Sequence, residues 1–180
     1  LGKSKVLRAV ATAYTEVIRD TPLLLQLYFF YFLLPDILPA LKLSKFACIT
    51  IALVINSGAY MSEVFRSGIQ SIDRGQTEAA RSLGLSARQT MMRIILPQAL
   101  RTAFPTLASS LIAMIKDTSL AANITVTEMF MTTQRIVART YEPLALYIEV
   151  GLVYLLFCTV LTRLQAVGER YLNSKGAQRS

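Results

Sequence analysis

Several polar side chains interrupt the apolar runs of this sequence, and four of them are the first candidates for chemistry. Glu149 lies inside the run PLALYIEVGLVYLLFCTVLT, where an acid either binds a cationic group of a ligand or pairs with a neighbouring helix. Asn56 and Ser57 interrupt a second apolar run and Ser109 a third, and small polar groups there either join helices or line a cavity. We therefore treat Asn56, Ser57, Ser109 and Glu149 as candidates for a substrate pathway.

The composition argues against a catalytic centre. The chain contains no histidine, which excludes a histidine base, a histidine metal ligand and a Ser-His-Asp triad. Its scattered acids form no acid–base pair or metal cluster. Cys48 and Cys158 each stand alone in an apolar run, as structural cysteines do. We expect no catalytic residue, no metal site and no enzymatic activity in this chain, and an intramembrane enzyme is the least favoured alternative.

Long apolar runs place the chain in a lipid bilayer. Hydrophobic residues make up 53% of the 180 residues and charged residues only 17%, against about 25% in soluble domains. Each run has the roughly 20 residues that a helix needs to cross the hydrocarbon core. We predict a single all-α membrane domain over residues 1–180, with four spans at about residues 21–41, 46–65, 102–121 and 143–162.

Residues 1–20 are amphipathic and basic. Apolar residues such as Val6 and Val10 recur at helical spacing, and Lys5 and Arg8 lie between them. This pattern favours a helix that lies at the membrane surface or extends the first span.

Residues 66–101 form the longest polar interruption, and we predict two short helices there. Asp73 is a candidate N-cap for the first helix, with Gln76 completing a capping box. Gly84 suits a left-handed C′ position because it has no Cβ, and Leu85 follows at C″.

The second short helix is expected to begin with another capping box. Ser86 and Gln89 have the required spacing. Pro97 is expected to kink or end this helix, since a proline lacks the N–H that an internal helical position donates.

The basic residues indicate how the chain is oriented. If both chain ends and the loop 66–101 share one side, that side carries 14 of the 19 Lys and Arg residues. Such residues are retained in the cytoplasm, so we expect the loop and the C-terminus there. The net charge of +8 then follows from membrane orientation, and we expect no nucleic-acid partner.

The loop resembles the EAA signature of the membrane subunits of binding-protein-dependent ABC importers. That signature is Glu-Ala-Ala, three residues, glycine, nine residues, isoleucine, one residue and Leu-Pro. Every interval matches over a window of 20 residues. The matching residues are Glu78, Ala79, Ala80, Gly84, Ile94, Leu96 and Pro97.

Three flanking stretches, residues 15–27, 55–70 and 116–121, resemble the polar amino acid permeases of the histidine/glutamine type. The resemblance extends over essentially the whole chain. These permeases usually have five spans, the first of which lies upstream of a junction like the one at residues 1–5. We therefore expect that span to precede residue 1.

The resemblance implies a type I ABC importer transmembrane domain in the bacterial cytoplasmic membrane. Its implied partners are an ABC ATPase dimer, a second permease subunit that is identical or related, and an extracytoplasmic amino-acid-binding protein. ATP and Mg²⁺ would be held by the ATPase, and this chain, which has no phosphate-binding G-x-x-x-x-G-K-[ST] loop, would hold no cofactor.

In this family the EAA loop forms a coupling helix that docks in a groove of the ATPase. The resemblance implies that this role belongs to Glu78, Ala79, Ala80, Gly84, Leu85 and Pro97. The alternatives are a secondary transporter or channel, although no internal repeat supports it, and an ABC permease for a solute other than an amino acid.

Overall fold

The computed structural model describes residues 4–177, which contain helices and turns but no strand, as the all-α prediction requires. Two π-helical turns, Phe29–Leu33 and Met91–Ile95, and a 3-10 helix, Thr118–Ile124, supplement the α-helices. The α-helices are α1 (Lys5–Arg19), α2 (Leu23–Tyr28), α3 (Leu34–Ile37), α4 (Lys45–Gln70), α5 (Arg74–Ser82), α6 (Ala87–Thr90), α7 (Leu96–Asp117), α8 (Met129–Thr140) and α9 (Pro143–Ala177).

Both π-helical turns precede a Leu-Pro pair. In each, the N–H of the leucine bonds to the carbonyl five residues earlier, from Leu34 to Phe29 and from Leu96 to Met91. The wider turn lets the helix continue past a proline that cannot donate a bond. The sequence predicts that Pro97 either kinks or ends the second short helix of the loop. It does not end that helix, because helical structure continues from α6 into α7.

Among the described residues, two helices are long and apolar enough to cross a membrane, namely α4 and α9 over Pro143–Leu172. They contain the predicted spans 46–65 and 143–162 and extend beyond them. A third is added if α1 and the helical stretch Leu23–Ile37 form one span, but the two are bent by 103°. The remaining predicted span corresponds to α7, whose polar residues and internal Pro105 make it less apolar.

The first of two compact units contains the described part of Leu1–Tyr60 together with Ile112–Val160. Its core brings together α2, α4 and the 3-10 helix, and α8 begins at the N-cap Glu128, whose carboxylate accepts from the N–H of Phe130 at 2.7 Å. The core residues are Leu27, Cys48, Ile49, Ala52, Ala121 and Ile124.

The second unit contains Met61–Leu111 and the described part of Leu161–Ser180. Glycines allow close helix packing in this unit. A Cβ at Gly68 would lie 3.0 Å from the carbonyl oxygen of Ala99, and a Cβ at Gly168 would lie 3.0 Å from the ring of Phe104. The first contact holds the loop-bearing ends of α4 and α7 together, and the second packs α9 against α7.

Candidate functional site

The first helix of the loop, α5, begins at Asp73. The Asp73 carboxylate accepts a hydrogen bond from the N–H of Gly75 at 2.6 Å, which confirms the predicted N-cap. The predicted capping box is wrong, because the side-chain oxygen of Gln76 accepts a bond from Nε2 of Gln98 at 3.4 Å instead. This bond connects α5 to α7.

A Schellman motif ends α5 at Gly84, as the sequence predicts. Gly84 has a φ of +84°, and its N–H bonds to the carbonyl of Arg81 at 3.0 Å. The N–H of Leu85, which is half-buried, bonds to the carbonyl of Ala80 at 3.2 Å. Arg81 adds a bond from Nη1 to the carbonyl of Leu85 at 2.9 Å, so a side chain that sequence reasoning missed also fixes this turn.

The second short helix begins with the predicted capping box. The N–H of Ser86 bonds to Oε1 of Gln89 at 2.8 Å, and the N–H of Gln89 bonds to Oγ of Ser86 at 3.2 Å. Thr90 is buried and donates its hydroxyl to the Ser86 carbonyl at 3.0 Å. The helix then runs through a π-helical turn directly into α7.

Glu78, Ala79 and Leu83 are among the exposed residues of the loop, and Pro97 is exposed at the start of α7. Leu83 is 81% exposed, although hydrogen bonds on both sides of it order the turn. Ala80, in contrast, is 5% exposed and packs inside the loop. The sequence alone does not identify Leu83 as a surface residue. The feature that could have indicated it is an apolar residue immediately before the glycine that ends the helix.

Asn56 lies in a hydrogen-bond network between helices. Its Nδ2 donates to Oε1 of the buried Gln26 at 3.1 Å. Nε2 of Gln26 donates in turn to the carbonyl of Ile18 at 2.7 Å and to the carbonyl of Thr21 at 3.1 Å. Asn56 therefore joins α4 to the bend between α1 and α2.

Ser57 and Ser109 also bond to neighbouring helices. The Ser57 hydroxyl donates to Sδ of Met114 at 3.2 Å. Ser109 accepts a bond from Nε2 of Gln165 at 3.2 Å, and the same nitrogen donates to the carbonyl of Pro105 at 3.1 Å. Both hydroxyls thus have an interhelical bond in the structure.

Glu149 lines a cavity of about 150 Å³ between α8 and α9. Its walls are mostly apolar, with Thr133 as the other polar side chain, and Glu149 itself is exposed. Asn56, Ser57 and Ser109 are not among the lining residues. The cavity is smaller than most ligand sites, and Glu149 is the only charged residue among those that line it.

Within the described ranges, no group of three or more Cys, Asp or Glu side chains is arranged to hold a metal ion. Neither Cys48 nor Cys158 forms a disulfide. Cys48 is buried, and its Sγ donates to the carbonyl of Phe30 at 3.5 Å, so it packs as a small core residue.

Comparison with known proteins agrees with this geometry. Residues 1–173 match the family described as "Binding-protein-dependent transport system inner membrane component". The L-cystine transport system permease protein TcyB of Bacillus subtilis is 41% identical over 174 residues, or 96% of this chain and 74% of TcyB. The glutamine transport system permease protein GlnP of Escherichia coli is 40% identical over 153 residues, or 85% of this chain and 70% of GlnP.

A solved structure supports the same conclusion. The crystal structure of an amino acid ABC transporter with histidines is similar with a TM-score of 0.88 at 35% identity, over 94% of this chain and 78% of the other. The type I ABC importer fold expected from the EAA signature is thereby confirmed. This chain belongs to the family of inner membrane components of binding-protein-dependent transport systems.

Proposed function

We propose that this chain is the membrane-spanning permease subunit of an ATP-driven, binding-protein-dependent importer of L-amino acids. The observation that carries the proposal is the loop, in which two capped helices joined at Gly84 expose Glu78, Ala79 and Leu83. Its relatives support the substrate class, since TcyB is named for L-cystine and GlnP for glutamine.

The loop suits a partner that moves it. Leu83 offers an apolar contact, Glu78 offers a charge that can pair, and Ala79 permits close approach. The Schellman bonds at Gly84 and the capping box at Ser86 resist bending. A displacement of the loop would therefore pass through the π-helical turn into α7, as switching between two states of a pathway requires.

The proposed assembly places ATP hydrolysis outside this chain. An ABC ATPase dimer would bind the loop on the cytoplasmic side and hold ATP and Mg²⁺. A second permease subunit, identical or related, would complete the pathway, and an extracytoplasmic binding protein would deliver the amino acid. The unequal distribution of Lys and Arg supports a cytoplasmic loop and C-terminus, and the chain itself acts as a transport subunit without enzymatic activity.

Glu149 is the strongest candidate for contact with the amino acid, because it is the acid among the residues that line the cavity between α8 and α9. Every amino acid has an ammonium group that a carboxylate can bind. Asn56, Ser57 and Ser109 would shape the pathway through their interhelical bonds rather than through direct contact.

The decisive experiment changes the loop surface in the assembled transporter. The permease, its ATPase and its binding protein are reconstituted in proteoliposomes with Glu78→Lys or Leu83→Ala. Uptake of labelled L-cystine, L-glutamine and L-histidine and stimulation of ATP hydrolysis by the loaded binding protein are measured. We expect both to fall by roughly fivefold or more, since losing a central contact of an interface costs over about 1 kcal/mol.

Glu142→Lys is the matched control, because Glu142 is an exposed acid outside the loop. It should leave uptake and ATP hydrolysis near their original values. Normal coupling in both loop variants would contradict the proposed role of the loop. Uptake that follows an ion gradient and persists after ATP depletion would contradict the importer itself.

A further inference from the structure

Helix α1 has an apolar side that the described chain leaves uncovered. Val6, Val10 and Val17 are 73%, 61% and 60% exposed, and α1 contains no buried residue. Lys5 and Arg8 lie on the opposite side, since three or four residues separate positions that share a helix face. An uncovered apolar side opposite a basic one is typical of helices that lie in a membrane interface.

Helix α1 is attached to α4 at two points. The Tyr14 hydroxyl donates to the carbonyl of Ile55 at 2.6 Å. Gly58 provides the space, because a Cβ there would lie 3.1 Å from that hydroxyl oxygen. At the end of α1, the Arg19 guanidinium lies over the ring of Tyr60, 5.6 Å from its centroid. These contacts fix how α1 is rotated about its own axis, and they leave the valines on the free side.

The bend after α1 fixes its direction. The helical stretch Leu23–Ile37 lies at 103° to α1. Gln26 stabilises the bend, because its amide nitrogen bonds to the carbonyl of Ile18, in the last turn of α1, and to that of Thr21, in the connection that follows. If Leu23–Ile37 crosses the membrane, α1 lies nearly in the membrane plane.

We propose that α1 is an interfacial helix that binds anionic phospholipid headgroups, with its valine side among the upper acyl chains. The charge distribution of α1 supports binding to anionic headgroups, because Lys5 and Arg8 lie in the first half of the helix and its first acid is Glu16. Basic residues near a bilayer surface attract anionic lipids. The proposal rests on the membrane location of the chain and not on the transported amino acid.

Depth measurement tests the orientation of α1 in the reconstituted importer. Val10→Cys, on the valine side, and Thr12→Cys, on the polar side, are each made in a Cys48→Ala, Cys158→Ala background and labelled with bimane. Vesicles of phosphatidylethanolamine and phosphatidylglycerol carry either nitroxide-labelled acyl chains or a water-soluble nickel quencher. We expect lipid nitroxide to quench the label at position 10 and nickel to quench the label at position 12.

Two results would overturn the orientation. Quenching of both labels by nickel would place α1 in water. Protection of the label at position 10 from both quenchers would mean that protein, such as a second permease copy or the ATPase, covers the valine side. Neither result depends on uptake, so failure of this inference can be distinguished from failure of the proposed transport function.

Lipid composition tests the charge. Exchanging phosphatidylglycerol for phosphatidylcholine should shift the quenching at position 10 toward the water-soluble quencher. Lys5→Gln with Arg8→Gln should abolish this lipid dependence. Each charge removed should lower the ratio of lipid-inserted to water-exposed α1, read from the quenching at position 10, by roughly fivefold. Lys42→Gln with Lys116→Gln removes the same charge elsewhere and should retain the dependence. Equal behaviour of the two double variants would overturn the anionic-lipid assignment.

Discussion

The side-chain amide of Asn56 donates a hydrogen bond to the side-chain oxygen of Gln26 at 3.1 Å, and this bond connects α4 to the bend between α1 and α2. Gln26 is 8% exposed, and its amide nitrogen is already committed to backbone carbonyls of the bend. Asn56, which the sequence offers as a pathway residue, is therefore engaged with protein.

A double-mutant cycle separates the two roles of Asn56. Asn56→Leu should lower the free energy of unfolding by about 1–3 kcal/mol, because it leaves the buried Gln26 oxygen unpaired. In a Gln26→Leu background the same change should cost at least about 1 kcal/mol less, since the partner is already gone. Thermal unfolding in detergent measures both effects. A KM for uptake that rises equally in both backgrounds would instead indicate substrate contact by Asn56.

The effect of substituting Gly84 should depend on how readily the new residue adopts a left-handed backbone conformation and not on the size of its side chain. A Cβ at Gly84 would meet nothing within 4 Å, but its φ of +84° is strained for other residues by about 1–2 kcal/mol. Stimulation of ATP hydrolysis by the loaded binding protein should therefore decrease in the order Gly, Asn, Ala, Val. Gly151→Ala is the control, because Gly151 is also uncrowded but lies in a helix with an ordinary φ. If Gly84→Val couples normally, the left-handed turn is not required.

Glu149→Gln should change transport without changing assembly. The neutral amide keeps the shape of the cavity wall but loses attraction for an ammonium group, so KM should rise by roughly tenfold for a contact worth about 1.5 kcal/mol. Glu142 is an exposed acid directly before α9, and Glu142→Gln should leave KM unchanged. Copurification with the ATPase should be normal for both variants. Loss of copurification alone would assign Glu149 to helix packing.

Gly68 should be more sensitive to alanine than Gly168. The nearest neighbour of a Cβ at Gly68 is the backbone oxygen of Ala99 at 3.0 Å, which cannot rotate away. The neighbour at Gly168 is the tip of the Phe104 ring, which can. Gly68→Ala should lower stability by about 1–3 kcal/mol, as overpacking does, and Gly168→Ala by less. The two melting temperatures in detergent test this order, and the opposite order would contradict it.

Local signals in the sequence predict the loop well. The left-handed turn at Gly84 and the capping box of Ser86 and Gln89 depend on residues within one or two turns of each other, so the sequence contains all that determines them. The capping box at Asp73 fails for the complementary reason. Gln76 finds a partner on α7, 22 residues further along the chain, and local reasoning has no access to that bond.

The polar residues of the spans show the same limit. Asn56, Ser57 and Ser109 look alike in the sequence as hydroxyl or amide groups in apolar surroundings. Only the packed helices reveal their interhelical partners Gln26, Met114 and Gln165. The exposure of Leu83 is likewise a property of the folded loop, since the sequence shows only its place before a glycine.

The π-helical turn Met91–Ile95 sets where the protein can lose a residue without turning its loop. A π turn accommodates one residue more than an α turn. Deleting one residue there would restore an ordinary α-helical turn and leave the direction of the loop nearly unchanged. Deleting one residue from the α-helical segment that follows would rotate the loop by about 100° relative to the rest of α7, the angle between successive α-helical residues. Only the second deletion would turn Leu83 away from a partner without altering its chemistry.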